Sequence, residues 1–97
     1  MGKEIIWSAR AIESFNRVIE YLETNWTEKQ INSFVEKTEH TLRIIGSGKV
    51  KFKSSKKKNI FEVLVTKHNL LLYRDKKNKV ELILFYDTRQ HPKKKIV

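Results

Sequence analysis

The apolar residues of this 97-residue chain change period near Gly46, and that change fixes the class of fold. Before Gly46 they recur at three- and four-residue steps; after it they form short runs separated by polar turns. The first pattern is that of amphipathic helices and the second that of strands, so a helical half precedes a sheet. From Ala9 to about Asn25, Ile12, Phe15, Ile19 and Leu22 predict one buried stripe. Ser8 supplies a capping hydroxyl, and Lys3 to Trp7 before it reads as a short strand. Thr27-Glu28-Lys29-Gln30 fits a capping box, with Trp26 placed to staple onto Ile31. The second helix then buries Ile31, Phe34, Val35, Leu42 and Ile45 and stops at Gly46 and Gly48.

Three strands follow, Ile60 to Lys67, Leu70 to Asp75 and Val80 to Asp87, divided by His68-Asn69 and by the turn Lys76-Lys77-Asn78-Lys79. Short polar connections make them an antiparallel meander. Gly46 to Asn59 is expected as loop or frayed edge strand, and Gln90 to Val97 as an extended tail. The whole is a single α+β domain over residues 1–97: a strand, a two-helix hairpin and a three-stranded meander. Both helices pack on one face of the sheet, and the other face is at least partly open.

Charge divides at the same place. Residues 49–97 hold 15 Lys and Arg against 4 Asp and Glu, whereas residues 1–48 hold 6 against 7. The basic half is therefore the sheet, and its open side is expected to face an anionic partner, nucleic acid first. The absence of Cys excludes disulfides and thiolate metal sites, and the three His show no metal-ligand spacing, so neither metal nor cofactor is expected. The longest apolar run, Leu82 to Tyr86, is five residues, too short for a membrane span. A soluble, cytoplasmic protein is the expectation.

Three stretches carry a resemblance to a known family. They are Ile6-Trp7-Ser8 with Ala11, Lys67-His68-Asn69-Leu70-Leu71-Leu72-Tyr73-Arg74, and Leu84-Phe85-Tyr86-Asp87-Thr88-Arg89-Gln90. With the order of elements, they make the chain resemble the RelE/ParE toxins of bacterial toxin–antitoxin pairs over nearly its whole length. The resemblance implies a growth-inhibiting toxin neutralised by a cognate antitoxin, which an acidic, partly disordered protein would suit on charge. It leaves two targets open. RelE-like members are metal-independent endoribonucleases that cut messenger RNA on the ribosome, and ParE-like members inhibit DNA gyrase.

Cleavage of RNA without metal needs a group to activate the 2′-hydroxyl, a cation at the phosphate and a proton donor to the leaving oxygen. By resemblance Arg89 and Arg74 would bind phosphate and Tyr86 would stack on a base or donate a proton. Lys49, Lys51, Lys53, Lys56, Lys57 and Lys58 form a run without acids, and with Lys67 they are the candidate phosphate contacts. These residues favour ribosome and messenger RNA as the target. Against that, the strand Ile60 to Val65 carries Glu62 as its only charged residue, where RelE-like nucleases place basic residues. Gyrase stays open as the alternative, as do a non-toxic RNA-binding module and an inactive toxin relative. Replacing Lys56, Lys57 and Lys58 with Gln is expected to lower the salt slope of RNA or ribosome binding by about 2 to 3 units, measured by titration at several salt concentrations.

Overall fold

Ser8 ends a strand and starts a helix, and the sheet is organised around that switch. The computed structural model describes residues 2–48, 53–54 and 59–88, with 53–54 described as backbone only. Its elements are β1 (Glu4–Trp7), α1 (Ala9–Asn25), α2 (Glu28–Gly46), β2 (Lys53–Ser54), β3 (Ile60–Thr66), β4 (Asn69–Asp75) and β5 (Lys79–Asp87). The five strands lie in the order β1-β5-β4-β3-β2. β1 runs parallel to β5 and the other pairs are antiparallel. The expected strand, helical hairpin and meander are all present. The two-residue edge strand β2 and the parallel seam between β1 and β5 complete the sheet.

Both helices are capped by the expected hydroxyls. The Ala11 amide donates to Ser8 Oγ at 3.0 Å and the Gln30 amide to Thr27 Oγ1 at 3.4 Å, each using one of the free donors of a first turn. α2 ends as Gly48 takes φ +75°, a conformation open to glycine. Gly46 is needed for a different reason. A Cβ there would meet Ile5 Cδ1 at 3.2 Å, and its carbonyl accepts the amide of Lys3, just before β1, at 2.6 Å, so the end of α2 lies close against the start of β1.

The buried stripes differ from those expected. α1 buries Ala11, Ser14, Val18 and Leu22, with Phe15 and Ile19 beside them, while Ile12 is 49% exposed. The helix is rotated by about one residue because small Ala11 and hydrogen-bonded Ser14 let it approach the sheet closely. α2 buries Phe34, Thr38, Thr41, Ile45 and Gly46, with Ile31 and Leu42 partly covered and Val35 half-buried. The two threonines can be buried because their hydroxyls donate to the carbonyls four residues back, Phe34 O and Lys37 O, both at 2.8 Å. His40 of this helix is exposed.

Between helices and sheet lies an aromatic cluster. Phe15 contacts Trp7 at 5.4 Å, Phe34 at 5.2 Å and Phe85 at 5.2 Å, and Trp7 stacks on Phe85 at 5.5 Å. These rings tie β1, α1, α2 and β5 together in the offset and edge-on geometries that aromatic pairs prefer. Val63, Val65, Leu71, Tyr73, Val80 and Leu82 complete this core.

β5 is bulged at Ile83, since Tyr73 pairs with Leu82 but Leu72 with Leu84. β1 pairs with β5 only as far as Leu82, so beyond it the β1 side of β5 needs other partners. α1 supplies them: Ser8 Oγ donates to Ile83 O at 3.4 Å, and the Phe85 amide donates to Ser14 Oγ at 2.9 Å. Ser14 Oγ in turn donates to Ala11 O at 3.1 Å. Ser14→Ala should therefore cost about 1–3 kcal/mol in urea unfolding, because it strands a buried amide; a loss under about 0.5 kcal/mol would show that the hydroxyl is not needed.

Candidate functional site

Alternation along the strands gives the sheet a second face, turned away from the helices. By register it carries three cross-strand rows: Leu64, Leu70 and Tyr86; Glu62, Leu72 and Leu84; and Ile60, Arg74 and Glu81. Leu70, Leu72, Leu84 and Tyr86 form one buried cluster with Ile83 packed on it. Next to that cluster, Leu64 is 58% exposed. The face is partly open, as expected, at Leu64 and Arg74, but the reading of it as basic needs correction among the described residues, because its centre is an apolar, buried cluster. The run Asn69 to Tyr73 is buried at every position, as in a strand covered on both faces.

The candidate residues are spread over this frame. Arg74 ends the face at β4, its side chain 44% exposed and 3.9 Å from Glu81, which also accepts Lys76 at 3.2 Å. Tyr86 is 5% exposed within the apolar cluster. Four residues of β4 separate Arg74 from Leu70, the register partner of Tyr86, so the two candidates stand about 13 Å apart along the strand. The backbone of Lys53 lies opposite Glu62 in β2. Lys67 is exposed in the β3–β4 turn, beside the helices. Arg89 and Lys49, Lys51, Lys56, Lys57 and Lys58 lie outside the described residues, as does the tail from Gln90.

Where β5 ends, a buried polar chain appears that the sequence reading missed. Thr66 Oγ1 donates to Asn69 Oδ1 at 2.6 Å, and Asn69 Nδ2 donates to Asp87 Oδ2 at 2.9 Å. Asn69 and Asp87 are 2% and 1% exposed. The Thr88 amide also donates to His68 O at 2.8 Å, pinning the turn to the end of β5 one residue before Arg89. A carboxylate is expensive to bury without donors, and the Thr66-fixed amide of Asn69 is one that meets it. A signal was present in the sequence, since Asn at a strand start and Asp at a strand end are both disfavoured there without a partner. Among the described residues no group of three or more His, Asp or Glu could hold a metal ion. Among them, no helix is long and apolar enough to cross a membrane.

Asn69→Leu keeps the size of the side chain but removes an amide donor from the buried carboxylate. It should lower stability by about 2–3 kcal/mol, more than Asp87→Asn, which leaves no charge behind. Chemical unfolding of the two variants tests this, and an equal or reversed order would contradict it.

No protein-family model matches this sequence, and no curated protein matches it in sequence. Solved structures do match in shape. The chromosomal ParDE toxin–antitoxin system of P. aeruginosa superposes with TM-score 0.73 at 7% identity, over 88% of this chain and 95% of that one. The E. coli DinJ–YafQ toxin–antitoxin complex gives 0.64 at 8% identity, over 94% and 98%. The YoeB/ParE toxin of Agrobacterium tumefaciens gives 0.60 at 14% identity, over 87% and 96%. The fold is thus the RelE/ParE-type toxin fold that the sequence resemblance implied.

Proposed function

We propose that this chain is the growth-inhibiting toxin of a two-component pair, held inactive by a cognate antitoxin, and that it acts in the cytoplasm by binding a macromolecular target without cutting RNA. The toxin role is supported by the shared fold, since the similar structures include toxins in complex with antitoxins. A formal net charge of +10 suits an acidic antitoxin, for which opposite charge speeds encounter.

The observation that carries the binding reading is the composition of the face turned away from the helices. Phosphoryl transfer needs a base, a phosphate cation and a proton donor within a few ångströms of one phosphate. Here Leu72 and Leu84 occupy the row between Arg74 and Tyr86, Arg74 lies beside Glu81, and Tyr86 is buried. Leu64, 58% exposed beside this buried cluster, is the apolar group that the face offers to another protein. An inhibitor of DNA gyrase is the form of this reading that the family resemblance offers. Messenger-RNA cleavage on the ribosome is the second reading, favoured by the Lys49 to Lys58 run and by Arg89 immediately after Thr88.

Induced expression in a bacterial host, with sequencing of RNA 5′ ends and a supercoiling assay on purified gyrase, separates the two. Growth arrest with intact messages and inhibited supercoiling is expected, together with loss of toxicity in Arg89→Ala. New 5′ ends within translated messages, absent in Arg89→Ala, would overturn the binding reading in favour of a nuclease.

A further inference from the structure

β5 ends in two consecutive grips on the β3–β4 turn, one through a side chain and one through the backbone. Asn69 and Asp87 form the register pair that closes the β4–β5 ladder, and Asn69 Nδ2 donates to Asp87 Oδ2 at 2.9 Å. One residue on, the Thr88 amide and hydroxyl both donate to His68 O, at 2.8 and 3.2 Å. The turn that supplies both partners is itself fixed. Thr66 Oγ1 donates to Asn69 Oδ1 at 2.6 Å and accepts the His68 amide at 3.2 Å. Because Thr66 engages the oxygen of the Asn69 side chain, the nitrogen is the end turned to Asp87.

Stability alone does not call for this arrangement. The neighbouring pairs of the same ladder, Leu70 with Tyr86 and Leu71 with Phe85, are apolar. An apolar pair at positions 69 and 87 would avoid the cost of burying a carboxylate, and replacing both members of a buried polar pair by apolar groups of similar shape is often neutral or stabilising. What a satisfied polar pair adds is direction, since its hydrogen bond tolerates few geometries. A strand end held at one residue can still turn about that point. Held at Asp87 and at Thr88, it is fixed both in register and in the direction from which the chain continues to Arg89.

We propose that Thr66, Asn69 and Asp87 are positioning residues for Arg89: they aim the chain leaving β5 so that the Arg89 guanidinium meets the target of the toxin. The assignment rests on the toxin reading, in which Arg89→Ala abolishes toxicity. A guanidinium presents its donors in a planar fork, so its contact depends on the angle at which it arrives. An apolar pair would serve the fold as well and the target less.

The decisive variant joins Asn69→Leu to Asp87→Leu in the full chain. Its melting temperature should equal or exceed that of the unsubstituted chain, while hydrogen exchange at the Thr88 amide becomes about 10-fold faster. Growth arrest at matched protein level should weaken about 10-fold, the loss that follows when a supporting contact no longer holds a working side chain in place. Asn69→Asp with Asp87→Asn exchanges the roles of amide and carboxylate, so it should return both readouts towards those of the unsubstituted chain. A stable leucine pair with full growth arrest, or with unchanged exchange at Thr88, would overturn the assignment, as would toxicity that only tracks melting temperature across these variants. If the leucine pair does not fold, Thr66→Val takes its place, because it removes only the hydroxyl that orients Asn69. Faster Thr88 exchange with weaker growth arrest at unchanged melting temperature would then support the assignment, and no change in either would overturn it. If the unsubstituted chain arrests no growth, the toxin reading falls and the role given to Arg89 falls with it.

Discussion

The edge of β5 beyond Leu82 is the constraint from which the architecture follows. Up to Leu82 that edge is satisfied by β1, and past it by the capping Ser8, which donates to Ile83 O, and by Ser14 of α1, which accepts from the Phe85 amide. One segment thus serves β5 first as a strand and then as a helix. Ser8 is the point of exchange because its hydroxyl both caps α1 and reaches β5. α1 is thereby held across the sheet at a fixed height, Ala11 and Ser14 face inward, and Phe15 falls between Trp7, Phe34 and Phe85. The bulge at Ile83 belongs to the same arrangement, since the extra residue lets Phe85 join the helix-side core while Leu84 and Tyr86 face away from it.

The ends of the strands carry the polar content that the core excludes. Lys3 Nζ meets Asp75 Oδ1 at 2.5 Å where β1 starts, and the Thr66, Asn69 and Asp87 chain closes the sheet at the other end. The second is the more consequential, because a buried carboxylate with a fixed amide donor accepts few other geometries. It sets where β5 stops and where the chain enters the segment beginning at Arg89. The β3–β4 turn therefore borders the cleft beside α1 and α2 and also holds the end of β5.

Much of this was legible in the residues. Spacing along Ala9–Asn25 and Glu28–Gly46, the caps Ser8 and Thr27 and the turns between apolar runs locate every long element to within two residues. The exact buried stripe of α1 was not legible, because hydropathy ranks Ile12 above Ser14 and cannot register an amide on β5 that needs an acceptor. β2 falls within the stretch expected as loop or frayed edge strand, but its bounds were not legible, because two residues in a lysine-rich run are too short for any period. The Asn69 and Asp87 pair joins positions eighteen residues apart, which no local pattern connects. The apolar face was misjudged for a related reason: the excess charge of residues 49–97 lies largely in turns, the Lys run and the tail, while the strands between them are apolar on both sides.

The proposal that this toxin-type fold contacts a protein target through the face turned away from the helices is tested most directly at Leu64. It is 58% exposed beside Leu70 and Tyr86 and outside the helix-side core, so Leu64→Lys should leave folding intact. The decisive measurement is growth after induction of this variant at matched protein level. Loss of growth arrest is predicted, because a charge at the exposed apolar group of a protein contact is costly to bury there. Full toxicity in the folded variant would contradict the account and return the target contact to the basic segments.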